Sequence, residues 1–272
     1  MLAAYLNSLR ESFNRRMGLV LIGLAIVLAV TLNLIIHIKP LIDGTTMVML
    51  GPRMLGPGSM ATPALLITEV RLVGVSGFFW ALLSILATAP LLASTLDRGW
   101  LELTLSKGVS RGEIFMGRYL GGITLFLVSV IVATLPLAIR LRIATGVSIW
   151  PLFIAILIEC LGFAALLSLA ALASVPQLGA APPILLSLVV SIISPILAYR
   201  EKGLYQLLSS NTSHFILDWM YRILPKTAEL ETMATDFIQE HHVATWYPFW
   251  TTGIFIVAVM GLSLWLLHRK SL

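Results

Sequence analysis

The sequence predicts an all-α, polytopic membrane protein with six transmembrane helices and an amphipathic helix at its N-terminus. The mean hydropathy is +0.95, and 58% of the 272 residues are hydrophobic while 11% are charged. Several apolar runs reach the roughly 20 residues that a helix needs to cross a bilayer. The polar remainder is too fragmented to form a soluble domain, so we expect one transmembrane domain over residues 1–272.

The apolar runs predict where each span lies. They cover residues 18–36, 72–96, 118–139, 150–175, 182–199 and 246–267. An even number of spans places both termini on one side of the membrane. Basic residues do not decide which side, because nine of the 18 lysines and arginines fall on each side.

The net charge of +5 is scattered at the ends of the apolar runs. Basic residues in these places meet lipid headgroups, so we expect membrane lipids as partners and no nucleic acid. The single cysteine, Cys160, lies inside an apolar run and can form no internal disulfide.

The first 17 residues predict an interfacial helix that leads as an elbow into the first span. One helical face is apolar and the other is polar, the pattern of a helix lying in the membrane surface. The apolar face comprises Leu2, Tyr5, Leu6, Leu9 and Phe13.

Two longer segments lie between spans. Residues 39–71 contain glycine, proline, methionine and leucine and predict an irregular cap that lies against the membrane interface. Residues 200–247 form the longest loop, which contains a second amphipathic helix in the stretch "SHFILDWMYRIL", ended by Pro225.

The stretch from Ser94 to Glu113 gathers six charges between two apolar runs. Asp97 can cap a short helix that Gly108 ends, since glycine adopts a left-handed backbone at little cost. "SRGE", from Ser110 to Glu113, has the spacing of a capping box at the start of the next helix. A solvated, well-capped loop and a docking surface both fit this pattern, and exposed apolar side chains such as Trp100 favour docking.

The run "LELTLSKGVSRGEIFMGRYLGG" resembles the membrane subunits of the second-type ABC exporter family, which includes the permease of nitrous-oxide reductase maturation. The segment "YRILPKTAELETMATDF" is similar to a leucine-proline segment before the last span of that family. Asp97, Arg98 and Gly108 depart from the family pattern, which leaves the subfamily open.

The resemblance implies that residues 97–111 form a cytoplasmic coupling helix that docks on a separate ATPase subunit. It implies a dimer of permease chains, identical or related, with two ATPase copies that bind ATP and magnesium. It also implies a bacterial cytoplasmic (inner) membrane location with both termini cytoplasmic, and residues 200–247 outside. The implied docking residues are Asp97, Arg98, Trp100, Leu101, Glu102, Leu103, Lys107, Val109, Ser110 and Arg111.

The chain itself is expected to hold no nucleotide, metal or catalytic residue. It lacks the G-x-x-x-x-G-K-[ST] loop that cradles phosphates, so the energy for export would come from the partner chain. Glu159 lies about ten residues inside the fourth span, where an ionised carboxylate is costly. It is therefore a candidate for the translocation pathway, or else a neutral glutamic acid bonded within the bundle.

Other functions remain open. A secondary transporter or a membrane scaffold would need no ATPase, although secondary transporters usually have interrupted helices and several charges near the midplane. "GVSG", from Gly74 to Gly77, matches the serine motif of an intramembrane protease, but Ser76 has no evident histidine base. "EHH", from Glu240 to His242, is too short to indicate a metal site.

Overall fold

The computed structural model describes residues 2–14, 16–40, 46–75, 78–93, 110–201, 203–207, 211–239 and 245–269. Helices dominate it, as the sequence predicts. In chain order they are α1 (Leu2–Asn14), α2 (Arg16–Ile35), α3 (Gly58–Val73), α4 (Phe78–Ala93), α5 (Arg111–Thr145), α6 (Trp150–Ser174), α7 (Ala181–Ala198), α8 (Leu204–Leu207), α9 (Asn211–Ile223), α10 (Thr227–Ile238) and α11 (Tyr247–Arg269).

Among these described residues, five helices are long and apolar enough to cross a membrane: α2, α5, α6, α7 and α11. The chain is therefore a multi-pass membrane protein. Within the predicted span at 72–96 the structure describes α4 and the last two residues of a separate helix, α3. Gly74 and Val75 follow α3 as a bend and a turn.

A small antiparallel sheet, which the prediction of an all-α fold did not include, lies between α2 and α3. In the described part of the chain its strands are β1 (Ile36–Pro40), β2 (Thr46–Leu50) and β3 (Arg53–Pro57), in that order. Ile36 and Val48 are buried while His37 and Lys39 are exposed, the alternation of a sheet with one covered face. The expected irregular cap is thus a sheet followed by a helix.

Helix α6 forms the centre of the bundle. It packs against α4, α5, α7, α10 and α11, and 78% of its most apolar 18-residue window is buried, against 22% for α2 and α11. The rings of Phe126 and Phe163 stack with centroids 4.2 Å apart at the α5–α6 contact. A helix that is apolar on all sides, as α6 is, fits only such a surrounded position.

Side-chain contacts define two ends of the bundle. At the first, which we call the α1 end, Ser8 lies against Gly121, and Gly112 lies near the ring of His268. At the other, which we call the sheet end, Thr62 and Thr145 share a hydrogen bond of 3.2 Å. The start of α5, the helix α1 and the last turn of α11 therefore lie together, and the sheet lies opposite them.

Candidate functional site

Most of the expected docking segment falls outside the described residues, which include only Ser110 and Arg111 of it. The capping box is confirmed where it is described. The backbone N–H of Glu113 donates to Ser110 Oγ, and the backbone N–H of Ser110 donates to Glu113 Oε2, both at 3.2 Å. The helix that follows the docking segment thus begins at Arg111, as the sequence predicts.

The first turns of α5 are held by α1 and α4. Arg118 is buried, and its guanidinium donates to the carbonyl oxygen of Leu91 and, at 3.0 Å, to Glu11 Oε2. The end of α4 and the start of α5, which flank the docking segment, are thereby joined to the N-terminal helix. Sequence reasoning counted Arg118 only as a charge at a span end.

Helix α1 packs lengthwise and antiparallel along α5. Tyr5 bonds Thr124 at 2.9 Å, and Glu11 pairs with Arg118 further along both helices. Between these contacts Gly121 meets Ser8, where a β-carbon would come within 2.5 Å of Ser8 Oγ. Gly121 is therefore a point of close approach between α1 and α5.

Glu159 lies in the bundle interior, as expected. It is the tenth residue of α6, and 1% of it is exposed. Its Oε2 accepts a 2.8 Å hydrogen bond from the backbone N–H of Val75, in the segment between α3 and α4. Its Oε1 has no hydrogen-bond partner among the described residues. Leaving a buried carboxyl oxygen without a partner is costly, which marks this position as a candidate site.

The segment after α3 fits closely around this carboxyl group. The N–H of Gly74 closes the end of α3 by donating to Val70 O at 2.7 Å. A β-carbon at Gly74 would lie 2.6 Å from Val70 O and 2.7 Å from Glu159 Oε2. Only glycine lets the backbone and the carboxyl group approach this closely, so the helix break and Glu159 form one unit.

A second buried carboxyl group lies on α3, one and a half turns before the break. Glu69 is 2% exposed, and neither carboxyl oxygen has a hydrogen-bond partner among the described residues. Sequence reasoning missed it, because residue 69 falls just outside the predicted span. The signal that could have found it is the apolar sequence on both sides, "TPALLITEVRLV".

An open cavity lies where α3, the end of α7 and α10 meet. It has a volume of about 460 Å³ and is lined by Arg71, Pro195, Tyr199, Ala228, Glu231 and Thr232. Arg71 and Glu231 form an ion pair of 3.5 Å in its wall.

Most residues considered for other chemistry lie outside the described part of the chain. Ser76 and Gly77 of the protease motif, and Glu240 to His242 of the weak metal motif, lie outside the described residues. The ring of His214 stacks on that of Tyr205, with centroids 4.2 Å apart. His268 lies in the last turn of α11. Within the described ranges no group of three histidine, cysteine or acidic side chains could hold a metal ion.

No protein-family model matches the chain, and no curated protein is significantly similar to it. Two features of the described residues are therefore candidate sites. The first is the buried, incompletely bonded carboxyl group of Glu159 beside the end of α3. The second is the start of α5, which α1, α4 and α11 contact.

Proposed function

We propose that the chain is the transmembrane subunit of an ATP-binding-cassette exporter, with six spans and a separate ATPase that docks at residues 97–111. The docked ATPase would drive rearrangement of the bundle and move a hydrophobic substrate out of the cytoplasm. The chain would work as a dimer, and the α1 end of the bundle would be cytoplasmic.

One observation carries this proposal. Arg118 joins α1, the end of α4 and the start of α5, so the segment between α4 and α5 emerges at the end of the bundle that holds α1 and the last turn of α11. A force applied to this segment would be passed to α5, which at 35 residues reaches from one end of the bundle to the other. Such a connection is what a coupling segment requires.

The test compares apolar anchors with rim charges in the docking segment. Truncating a buried aromatic at an interface costs about 2 kcal/mol or more, whereas a rim charge costs less than about 1 kcal/mol. We expect Trp100→Ala and Leu103→Ala to release the ATPase in a pull-down, and the control Lys107→Ala to retain it. Wild-type recovery of the ATPase by all three variants, or no ATPase with the wild-type chain, would refute the proposal.

A second candidate is a secondary transporter coupled to protons or small cations. The specific observation in its favour is that α3 ends at Val73 and that the N–H of Val75 then bonds the buried Glu159, with a second buried carboxyl group, Glu69, on α3. Interrupted helices at a binding site are typical of secondary transporters.

The energy source separates the two candidates. Dye uptake into everted membrane vesicles can be driven by ATP with an uncoupler present, or by a pH gradient without ATP. We expect ATP-driven uptake that Glu159→Gln lowers and the exposed control Glu201→Gln leaves unchanged. Uptake that needs only the pH gradient, and that Glu159→Gln abolishes, would favour the secondary transporter.

A further inference from the structure

An apolar groove runs along the outer surface between α2 and α5. It has a volume of about 380 Å³ and is lined by Ile26, Ala29, Val30, Asn33, Leu34, Val132 and Pro136. The lining residues advance together along both helices, from Ile26 to Leu34 on one and from Val132 to Pro136 on the other. The groove is therefore parallel to the spans rather than across them.

A second cavity continues the groove toward the sheet end. It has a volume of about 520 Å³ and is lined by Ile38, Thr46, Pro136, Ile139, Arg140, Ile143 and Ala144. Pro136 lines both cavities, and Arg140 Nη1 donates to the carbonyl oxygen of Asn33 across the junction. The two cavities thus form one channel with an apolar stem and a cationic head.

The α2 wall of the stem combines a small, buried side chain with larger, exposed ones. Ala25 and Ala29 are buried against the bundle, whereas Val30 and Leu34 point outward and are 52% and 69% exposed. Pro136 has no N–H to offer the carbonyl group four residues before it, which loosens the wall of α5 at this level. The groove is a feature of the fold rather than a gap beside one flexible side chain.

We propose that this channel is a binding site for one anionic phospholipid. An acyl chain lies in the stem between α2 and α5, and the phosphate group binds the guanidinium of Arg140. Basic pockets between transmembrane helices bind anionic headgroups in this way. Arginine suits the role because its planar fork offers several N–H donors, and one bond to Asn33 leaves others for phosphate oxygens.

Charge and size favour a lipid over a protein segment. The stem volume falls in the range of about 300–1,000 Å³ that small-ligand sites occupy. The walls of the stem are apolar apart from Asn33, whose side-chain amide donates to Ala29 O within its own helix. A single positive charge at one end of an apolar groove matches an amphiphile with one anionic end.

The experiment measures lipids retained by the purified full chain. The chain is exchanged into mild detergent, incubated with phosphatidylglycerol or with phosphatidylcholine of the same acyl chains, and studied by native mass spectrometry. Arg140→Gln keeps a donor for Asn33 and removes the charge, and Arg142→Gln is its exposed control on the same helix. Val30→Trp fills the stem, and Val27→Trp is its control, since Val27 is 60% exposed and lines neither cavity.

We expect the wild-type chain to retain phosphatidylglycerol in preference to phosphatidylcholine. Arg140→Gln should reduce that preference about fivefold, the effect of one basic residue near a membrane surface, and Val30→Trp should reduce retention of both lipids. Both control variants should behave as the wild type. Equal retention of the two lipids by wild type and Arg140→Gln would overturn the proposal. A change of oligomeric state in Val30→Trp with unchanged lipid retention would overturn it too, because a second copy of the chain would then fill the groove.

Discussion

Gly74 occupies a position in which a β-carbon would overlap two oxygen atoms, Val70 O at 2.6 Å and Glu159 Oε2 at 2.7 Å. Neither oxygen can move freely. The first belongs to the backbone of α3, and the second is held by the N–H of Val75. The chemistry of the buried carboxyl group and the conformation of the helix break are therefore linked at a single residue.

We expect Gly74→Ala to destabilise the protein by about 1–3 kcal/mol, the usual cost of overpacking a filled site. Gly253→Ala is the matched control, because nothing lies within 4 Å of the β-carbon it would add on α11. Thermal unfolding in detergent measures both variants. If Gly74→Ala unfolds at the same temperature as the wild type and the control, the close approach to Glu159 does not exist in solution.

The sequence predicts some of this site and misses the rest for physical reasons. Glu159 is conspicuous because it interrupts a long apolar run, and its burial follows from the cost of exposing a charge to lipid. Its partner, the N–H of Val75, is 84 residues away in the chain, and no local pattern encodes a contact over that separation. Glu69 was missed because the boundary of the predicted span was placed three residues after it.

At the scale of the element, α9 is attached to the end of α7 through one carboxylate. Asp218 Oδ1 accepts a 2.6 Å hydrogen bond from the Tyr205 hydroxyl and a 3.0 Å bond from Arg200 Nε. The guanidinium of Arg200 also lies 3.6 Å from the centre of the Tyr221 ring. The exposed side of α9 carries Phe215, Ile216, Trp219 and Ile223, which agrees with the predicted amphipathic helix.

This attachment predicts a pH dependence. The hydrogen bond from Tyr205, followed by that from Arg200, lowers the pKa of Asp218 below its usual value. A lowered pKa stabilises the folded state above the pKa of the unfolded chain, about 3.9, and this contribution is lost as the pH falls through the folded pKa. Hydrogen exchange of residues 211–223 should therefore accelerate below about pH 4, after correction for its intrinsic rate.

Asp218→Asn keeps the acceptor oxygen and removes the charge, so it should exchange faster than the wild type at pH 7 and show little further acceleration below pH 4. Glu201→Asn is the control, since the Glu201 side chain is 72% exposed. Identical exchange of wild type and Asp218→Asn at every pH would show that the ionised carboxylate does not hold α9.

Elements differ in how far the sequence defines them. Long apolar helices and the start of α5 could be predicted, because hydropathy and the capping box are local signals. The sheet at β1 to β3 could not, since its alternation covers only a few residues and Gly51, Pro52 and Gly56 interrupt it. The end of α3, near the start of the predicted 72–96 span, lies where Gly74 fits against Glu159, which is a tertiary contact that no local pattern encodes.

At the scale of the whole molecule, we propose that two helices, α3 and α4, together make the second crossing of the bundle. Thr62 near the start of α3 contacts Thr145 at the sheet end, and Leu91 near the end of α4 contacts Arg118 at the α1 end. The 16 described residues of α4 rise by about 24 Å toward the α1 end. The path from α3 to α4 therefore supplies the sixth crossing that we propose.

This path predicts a specific pattern of accessibility. Arg16 at the start of α2 and Arg269 at the end of α11 belong to the α1 end, while Arg53 in β3 belongs to the sheet end, and all three are exposed. Single cysteines at these positions are placed in a Cys160→Ser background and treated with an impermeant maleimide. Lys226, in the segment between α9 and α10, is unsuitable for labelling because it is 3% exposed.

We expect Arg53→Cys to be labelled in intact cells, and Arg16→Cys and Arg269→Cys only after the membrane is opened. The start of α2 and the end of α11 would then lie on the same side of the membrane, as the contacts of Gly121 with Ser8 and of Gly112 with His268 indicate. If Arg16→Cys and Arg269→Cys are labelled in intact cells and Arg53→Cys is not, the chain has six crossings in the inverted orientation. The docking segment would then face away from cytoplasmic ATP. Different labelling of Arg16→Cys and Arg269→Cys would mean an odd number of crossings, so that α3 and α4 do not together cross the membrane.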